Sequence, residues 1–190
     1  MPTRYFRLNE AVQAGHWSLG ALMDGQGQEL EDTTEFTSGR PVVHAPATLK
    51  LRVREQGRRR DFNMVGAGRT PVVHLRMSSL FAEYAPQEVQ LLPVNVKGGS
   101  GEYHVLVATR LIRCIDDKAS KEIQVWKPED ARPDKADHYR GVIGMRIDPM
   151  KVGGFQVFRT WGWSEALIVS EHIKLVLERA RVTGADFEEV

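Results

Sequence analysis

Hydrophobic positions along the 190-residue chain fall mostly in short alternating runs. From Thr48 to Arg54, Leu49, Leu51 and Val53 point one way and Lys50, Arg52 and Arg54 the other, the period-two signature of a half-buried strand. Arg4 to Leu8 also alternates and carries aromatics, which predicts a first strand. Asn9 is then placed to cap a short helix from Glu10 that ends at Gly15. Residues 24–40 are polar, contain Gly25, Gly27 and Gly39 with the acidic run Glu29-Leu30-Glu31-Asp32, and read as a loop or long meander. Residues 55–70 read as a hydrophilic connector, and Val72-Val73 resumes an extended run after Pro71.

In the second half, Ser78 or Ser79 is placed to cap a short helix carrying Leu80, Phe81 and Tyr84, stopped by Pro86. Val89 to Val96 and Tyr103 to Ile115 read as a hairpin around Lys97-Gly98-Gly99-Ser100-Gly101, with Pro93 pointing to an edge or bulge. Asp116 to Asp137 reads as a helical turn and a surface loop. Val142 to Ile147, Phe155 to Phe158 and Ala166 to Val169 predict short strands. Ser170 is a good N-cap, and Ile173, Val176, Leu177 and Ala180 form one apolar stripe at helical spacing, with Gly184 as the stop. A last strand is expected around Phe187. Strands outnumber helices and do not alternate with them. The pattern therefore predicts an α+β fold, a mostly antiparallel sheet with a few short helices and a C-terminal amphipathic helix.

Composition narrows the function classes. Hydrophobic residues make up 42%, too much for a disordered chain. Lys+Arg 26 against Asp+Glu 25 leaves a net charge of +1, which argues against a dedicated nucleic-acid binder. The single cysteine, Cys114, excludes an internal disulfide and fits a reducing cytoplasm. The N-terminus lacks the apolar run of a signal peptide, and the longest apolar stretches are far shorter than the ~20 residues of a membrane span, so no membrane partner is expected.

Candidate chemistry is sparse. The histidines (His16, His44, His74, His104, His138, His172) show no chelating spacing, so neither a metal nor a cofactor is expected. Cys114, His104 and Asp116 or Asp117 lie close enough in sequence to suggest a small Cys/His hydrolase as an alternative. However, Cys114 sits in an apolar run and reads more simply as a buried hydrophobe. Gly66-Ala67-Gly68-Arg69-Thr70 and the 98–101 glycines lack a following helix and read as turns, not phosphate cradles. Asp116-Asp117 and Glu129-Asp130 read as caps and loop residues. Lys50, Arg52, Arg54, Arg58, Arg59 and Arg60 form a basic stretch that reads as a solvated face, with protein or nucleic-acid contact as alternatives. Trp126, Trp161 and Trp163 suit either a core or an interface; Arg159-Thr160-Trp161-Gly162-Trp163 combines the two residue types that most often anchor protein contacts.

Longer stretches carry a family text: Val107 to Asp117, Trp126 with Pro128 to Pro133, Tyr139 to Pro149, Val157 to Trp163, and Ala166 to Lys174. In these the chain resembles the eleventh numbered immunity-protein family of bacterial polymorphic toxin systems. The resemblance is close over 71–190 and loose over 1–70. It suggests one domain over 1–190, with a variable N-terminal region ahead of a family-like core. It implies a cytoplasmic, non-enzymatic protein that binds and blocks a toxin encoded nearby. A regulatory or self-associating module, such as a homodimer, is the alternative. The expected partner-binding residues are Arg159, Trp161 and Trp163, with the acidic Glu29, Glu31 and Asp32, joined by Glu35, as a candidate phosphate-mimicking patch should the toxin be a nuclease.

Overall fold

The alternating runs become strands in the computed structural model, which describes residues 3–66, 69–99, 101–130 and 132–190. The first half holds β1 (Tyr5–Glu10), β2 (Ser18–Leu19), β3 (Leu49–Glu55), β4 (Phe62–Val65) and β5 (Thr70–His74), which runs directly into helix α1 (Leu75–Tyr84). The hairpin of β6 (Val89–Lys97) and β7 (Tyr103–Ala108) follows. Then come β8 (Leu111–Ile112), β9 (Glu122–Val125), β10 (Tyr139–Ile143), β11 (Val157–Thr160) and β12 (Trp163–Ser170), which leads into α2 (Glu171–Arg179), and last β13 (Ala185–Glu189).

These strands form a six-stranded sheet ordered β2-β3-β6-β7-β5-β4, a five-stranded sheet ordered β13-β1-β12-β11-β8, and a separate β10-β9 pair. Among these named strands only β3–β6 and β8–β11 pair in parallel. The α+β, largely antiparallel architecture expected from the pattern is what forms. Between the two large sheets lie Phe6, Leu8, Phe62, Leu106, Val157 and Leu167, together with the inner faces of α1 (Met77, Phe81) and α2 (Ile173, Leu177). A second cluster covers the other face of the six-stranded sheet and includes Trp17, Phe36, Leu51, Val105 and Val107. A third covers the other face of the five-stranded sheet and includes Tyr5, Cys114, Tyr139, Phe158 and Ile168. Each large sheet is therefore apolar on both faces in its centre. That is why Val105-Leu106-Val107-Ala108 is a continuous apolar run rather than an alternating one.

Several local expectations yield to long-range pairing. No helix follows Asn9; β1 continues through Glu10 because β13 pairs there, Glu10 opposite Ala185. The 55–70 connector contains β4, and Arg60, Asp61 and Asn63 within it are buried. Arg60 donates to Glu10 Oε1 (2.7 Å) and to the Trp17 carbonyl (3.1 Å), and Asn63 Oδ1 accepts from Trp17 Nε1 (2.9 Å). Polar residues read as solvated are thus paired inside the protein, as burial requires. Ala67 and Gly68 of the first glycine stretch, and Ser100 of the second, lie outside the described residues.

Helix α1 is capped by His74, whose Nδ1 accepts from the Arg76 amide (3.3 Å); Ser78 lies inside the helix and donates to the Leu75 carbonyl. Pro93 lies in a strand flanked on both sides, immediately before the parallel pairing with β3 begins at Val94, so its missing N–H costs no ladder bond there. The 116–137 segment contributes β9, and the strand expected at 142–147 ends at Ile143, where Gly144 turns with φ +55°. Ser170 caps α2 as expected, its Oγ accepting from Ile173 N. The helix stop is not Gly184 but Arg181 in left-handed conformation (φ 52°), with Val182 N donating to Leu177 O and Arg181 N to Glu178 O. Gly184 instead lets the chain pass Phe62: a Cβ there would stand 2.5 Å from the Phe62 carbonyl oxygen.

Candidate functional site

Where β11 turns into β12, Thr160 pairs with Trp163 and Gly162 takes φ +80°. Thr160 Oγ1 donates to the Trp163 carbonyl (2.6 Å), and the Trp161 amide donates to Ile112 of β8 (2.8 Å). A Cβ on Gly162 would lie 3.0 Å from the Tyr139 ring, so glycine is required both for the turn and for the approach of the 126–140 segment. Tyr139 is held from three directions. Its amide donates to Gly162 O (3.0 Å), its hydroxyl donates to Asp117 Oδ1 (2.7 Å), and its ring is buried. Burial and the Asp117 hydrogen bond push its phenol well above the usual range.

This turn leaves Trp161 and Trp163 half-buried on the wall of a cleft of about 720 Å³. Trp126, His138, Tyr139, Lys135 and Arg140 form a second wall, and Thr34, Glu35, Ser38 and Arg40 a third. The third wall is seated by Gly39 (φ +75°), where a Cβ would stand 2.9 Å from Leu111 and 3.1 Å from Arg159 Cβ. Cations crowd the indole faces. Arg113 lies 4.3 Å from the Trp161 ring centre, while Lys135 and Arg140 each lie 5.3 Å from that of Trp126. His138 meets Trp161 edge-on at 4.9 Å. Two aromatic walls and a polar third, with positioned cations, can seat an apolar anchor and hold a charged group beside it.

The expected interface residues separate. Trp161 and Trp163 line the cleft. Arg159 does not reach solvent: it is fully buried, and its Nη1 donates to the carbonyls of Ser164 (3.1 Å) and Glu165 (3.0 Å) behind the cleft wall. Burial, with Arg7 nearby, pushes its pKa down to about 9, which leaves it a cation at neutral pH. Its place is to brace the Trp163–Glu165 strand from beneath. Glu29, Glu31 and Asp32 are exposed on the approach to the 34–37 turn but do not line the cleft. Asp32 accepts from the amide (2.8 Å) and hydroxyl (2.6 Å) of Thr34, which lowers its pKa and starts that turn.

The Cys114, His104 and Asp116 constellation is not brought together. Cys114 is buried in the cluster beneath the five-stranded sheet, and burial pushes its thiol up to about 12. His104 lies on β7, its Nδ1 3.1 Å from Ser78 Oγ. Asp116 caps a turn, accepting from the amides of Lys118 and Ala119. Asp130 likewise accepts from the Lys127 amide. Of the basic stretch, Arg60 turns inward while Arg52, Arg54 and Arg58 stay exposed. Among the described residues no group of three or more His, Cys, Asp and Glu side chains could hold a metal ion, and no helix is long and apolar enough to cross a membrane.

Of the acidic candidates Glu35 alone lines the cleft, while Arg40, Lys135 and Arg140 were not separable from ordinary surface charge in the sequence; Gly39 and Gly162, beside Leu111 and Tyr139, mark the close approaches that gather them. Comparison with known protein families returned a match to the immunity protein family Imm11 over residues 20–190. A search of curated proteins returned no match.

Proposed function

Because the chain belongs to the Imm11 immunity protein family, we propose that it binds a cognate toxin protein and blocks it by stoichiometric contact, without catalysis. The observation that carries the reading is the cleft in which Trp126, Trp161 and Trp163 converge with Arg40, Arg140 and Lys135. Trp and Arg are the residues over-represented at energetic centres of protein interfaces, where truncating one anchor costs ~2 kcal/mol or more. A stable complex buries roughly 1,200–2,000 Å² in total, so the cleft is the centre of a wider contact. Glu29, Glu31, Asp32 and Arg40 supply its rim.

The chain acts as one domain over 1–190, in which the N-terminal 70 residues contribute the 34–40 wall and so tune partner choice, while the rest supplies the tryptophans. It works in the cytoplasm against a toxin encoded beside it. The test is co-expression with the product of the adjacent gene, followed by affinity capture and a growth assay. A one-to-one complex with restored growth is expected. No complex and no relief of toxicity overturns the proposal. A homodimer on sizing, with no toxin captured, moves the function to a self-associating module.

A further inference from the structure

The cleft also constrains the charge of what enters it. Indole faces ordinarily attract cations. Here they are already taken by the protein's own: Arg113 on Trp161, Lys135 and Arg140 on Trp126. An incoming cation meets like charge at Trp161 and at Trp126. A carboxylate meets guanidinium edges, because stacking leaves the N–H fork free for two-toothed contact.

The ion pairs agree with this. Among the described residues, Arg40, Arg113 and Lys135 have no carboxylate within 4.0 Å, whereas Asp134 of the same segment is engaged by Arg132 at 2.9 Å. Arg140 reaches Asp130 only at 3.9 Å and remains half exposed. Two unpaired carboxylates, Glu35 and Glu165, also face the cleft. They leave a small positive excess, enough for one or two negative charges and unfavourable for a polyanion. The cations on Trp126 and Trp161 likewise compete with nucleobase stacking on those two rings.

We infer that the cleft receives a toxin segment in which an aromatic or large apolar anchor is flanked by carboxylates, the anchor against Trp161 and Trp163 and the carboxylates on Arg40, Lys135 and Arg140, the cations that line it. The partner's identity as a toxin rests on the proposed function; the charge preference rests on the cleft alone. It differs from a phosphate-mimicking acidic patch, which would place the contact on Glu29, Glu31 and Asp32.

The test is a tryptophan-fluorescence titration of the full chain with three probes: a capped Glu-Phe-Glu-Leu peptide, its Lys-Phe-Lys-Leu counterpart, and a ten-residue oligothymidylate. The acidic peptide is expected to bind about tenfold tighter than the basic one, the order that a pair of exposed charge contacts supplies. Arg40→Gln is expected to weaken it severalfold, and R40E/K135E/R140E to reverse the preference. All three side chains sit at the surface, and circular dichroism checks that the variants fold. Equal or tighter binding of the basic peptide or the oligonucleotide overturns the inference, as does the absence of any response to the acidic peptide. Failure in these titrations leaves toxin capture standing, and failure of toxin capture leaves the peptide preference standing.

Discussion

Replacing Gly162 by alanine isolates the contact that builds the cleft. Gly162 has φ +80°, so any Cβ brings a left-handed backbone cost of ~1–2 kcal/mol. Its Cβ would also lie 3.0 Å and 3.2 Å from two Tyr139 ring carbons and 3.6 Å from His138 Cα. Relief requires the ring to move, but the Tyr139 hydroxyl is tied to Asp117 at 2.7 Å and its amide to Gly162 itself at 3.0 Å. Crowding of this kind costs ~1–3 kcal/mol. The alanine also restricts the unfolded chain, which returns ~0.4–1 kcal/mol. The expected net loss is about 2–4 kcal/mol, or a fall in Tm of roughly 4–15 °C for a chain of this size. Gly154→Ala is the control, since Gly154 has a matching φ of +82° and nothing within 4 Å of a Cβ. Its loss contains the backbone cost alone, about 1 kcal/mol. Urea denaturation followed by tryptophan emission gives both values. If Gly162→Ala costs no more than Gly154→Ala, Tyr139 is not held against the turn and the cleft wall is not built as described.

Phe81→Ala, fully buried between α1 and the sheets, is expected to cost about 3–5 kcal/mol in denaturant unfolding; a loss under about 1 kcal/mol would contradict its packing. Ser170→Ala removes the N-cap of α2 and the 2.5 Å hydrogen bond to Gln156, so thermal unfolding should show a loss of about 1–2 kcal/mol, and an unchanged Tm refutes the cap. Cys114 should resist a thiol reagent at pH 8 in the native protein and react once unfolded; fast native labelling contradicts its burial. Its thiol is raised from 9.0 to about 12 in the folded state, so above pH 9 the unfolded chain loses a proton that the native state retains. Stability therefore falls as pH rises from about 9 towards 12, by up to about 1.4 kcal/mol per unit. Cys114→Ala should flatten that slope, and an unaltered slope refutes the assignment.

Signals contained within a few residues were legible in the sequence. Leu49 and Leu51 alternate against Lys50 and Arg52 and form β3 as read; Ser170 followed by a helical stripe forms capped α2; the 97–101 glycines sit between β6 and β7. The Trp161-Gly162-Trp163 bend was visible as a bend, and the family text was borne out by the match over 20–190. Each of these depends on neighbours closer than one helical turn or one hairpin, where composition and periodicity act directly.

Tertiary structure decided the rest, because the deciding partner lies far along the chain. Asn9 and Glu10 stay extended because β13 arrives beside them from 175 or more residues on, not because of their own propensity. Arg60 and Asn63 are buried because Glu10 and Trp17 meet them there with hydrogen bonds. Arg159, whose residue type suggested an interface, lies inside, where the carbonyls of Ser164 and Glu165 accept from its Nη1 and Gly39 closes over its Cβ, while its Nε and Nη2 stay buried without a hydrogen-bond partner. The cleft draws its walls from residues 34–40, 126–140 and 161–165, and no local pattern encodes their meeting. Sequence thus determined those strands, turns and helices whose signal is local, such as β3, the β6–β7 turn and capped α2, and which family they spell. Only packing, through the pairing of distant strands and the burial of polar groups with partners, set which side chains face solvent and which face one another.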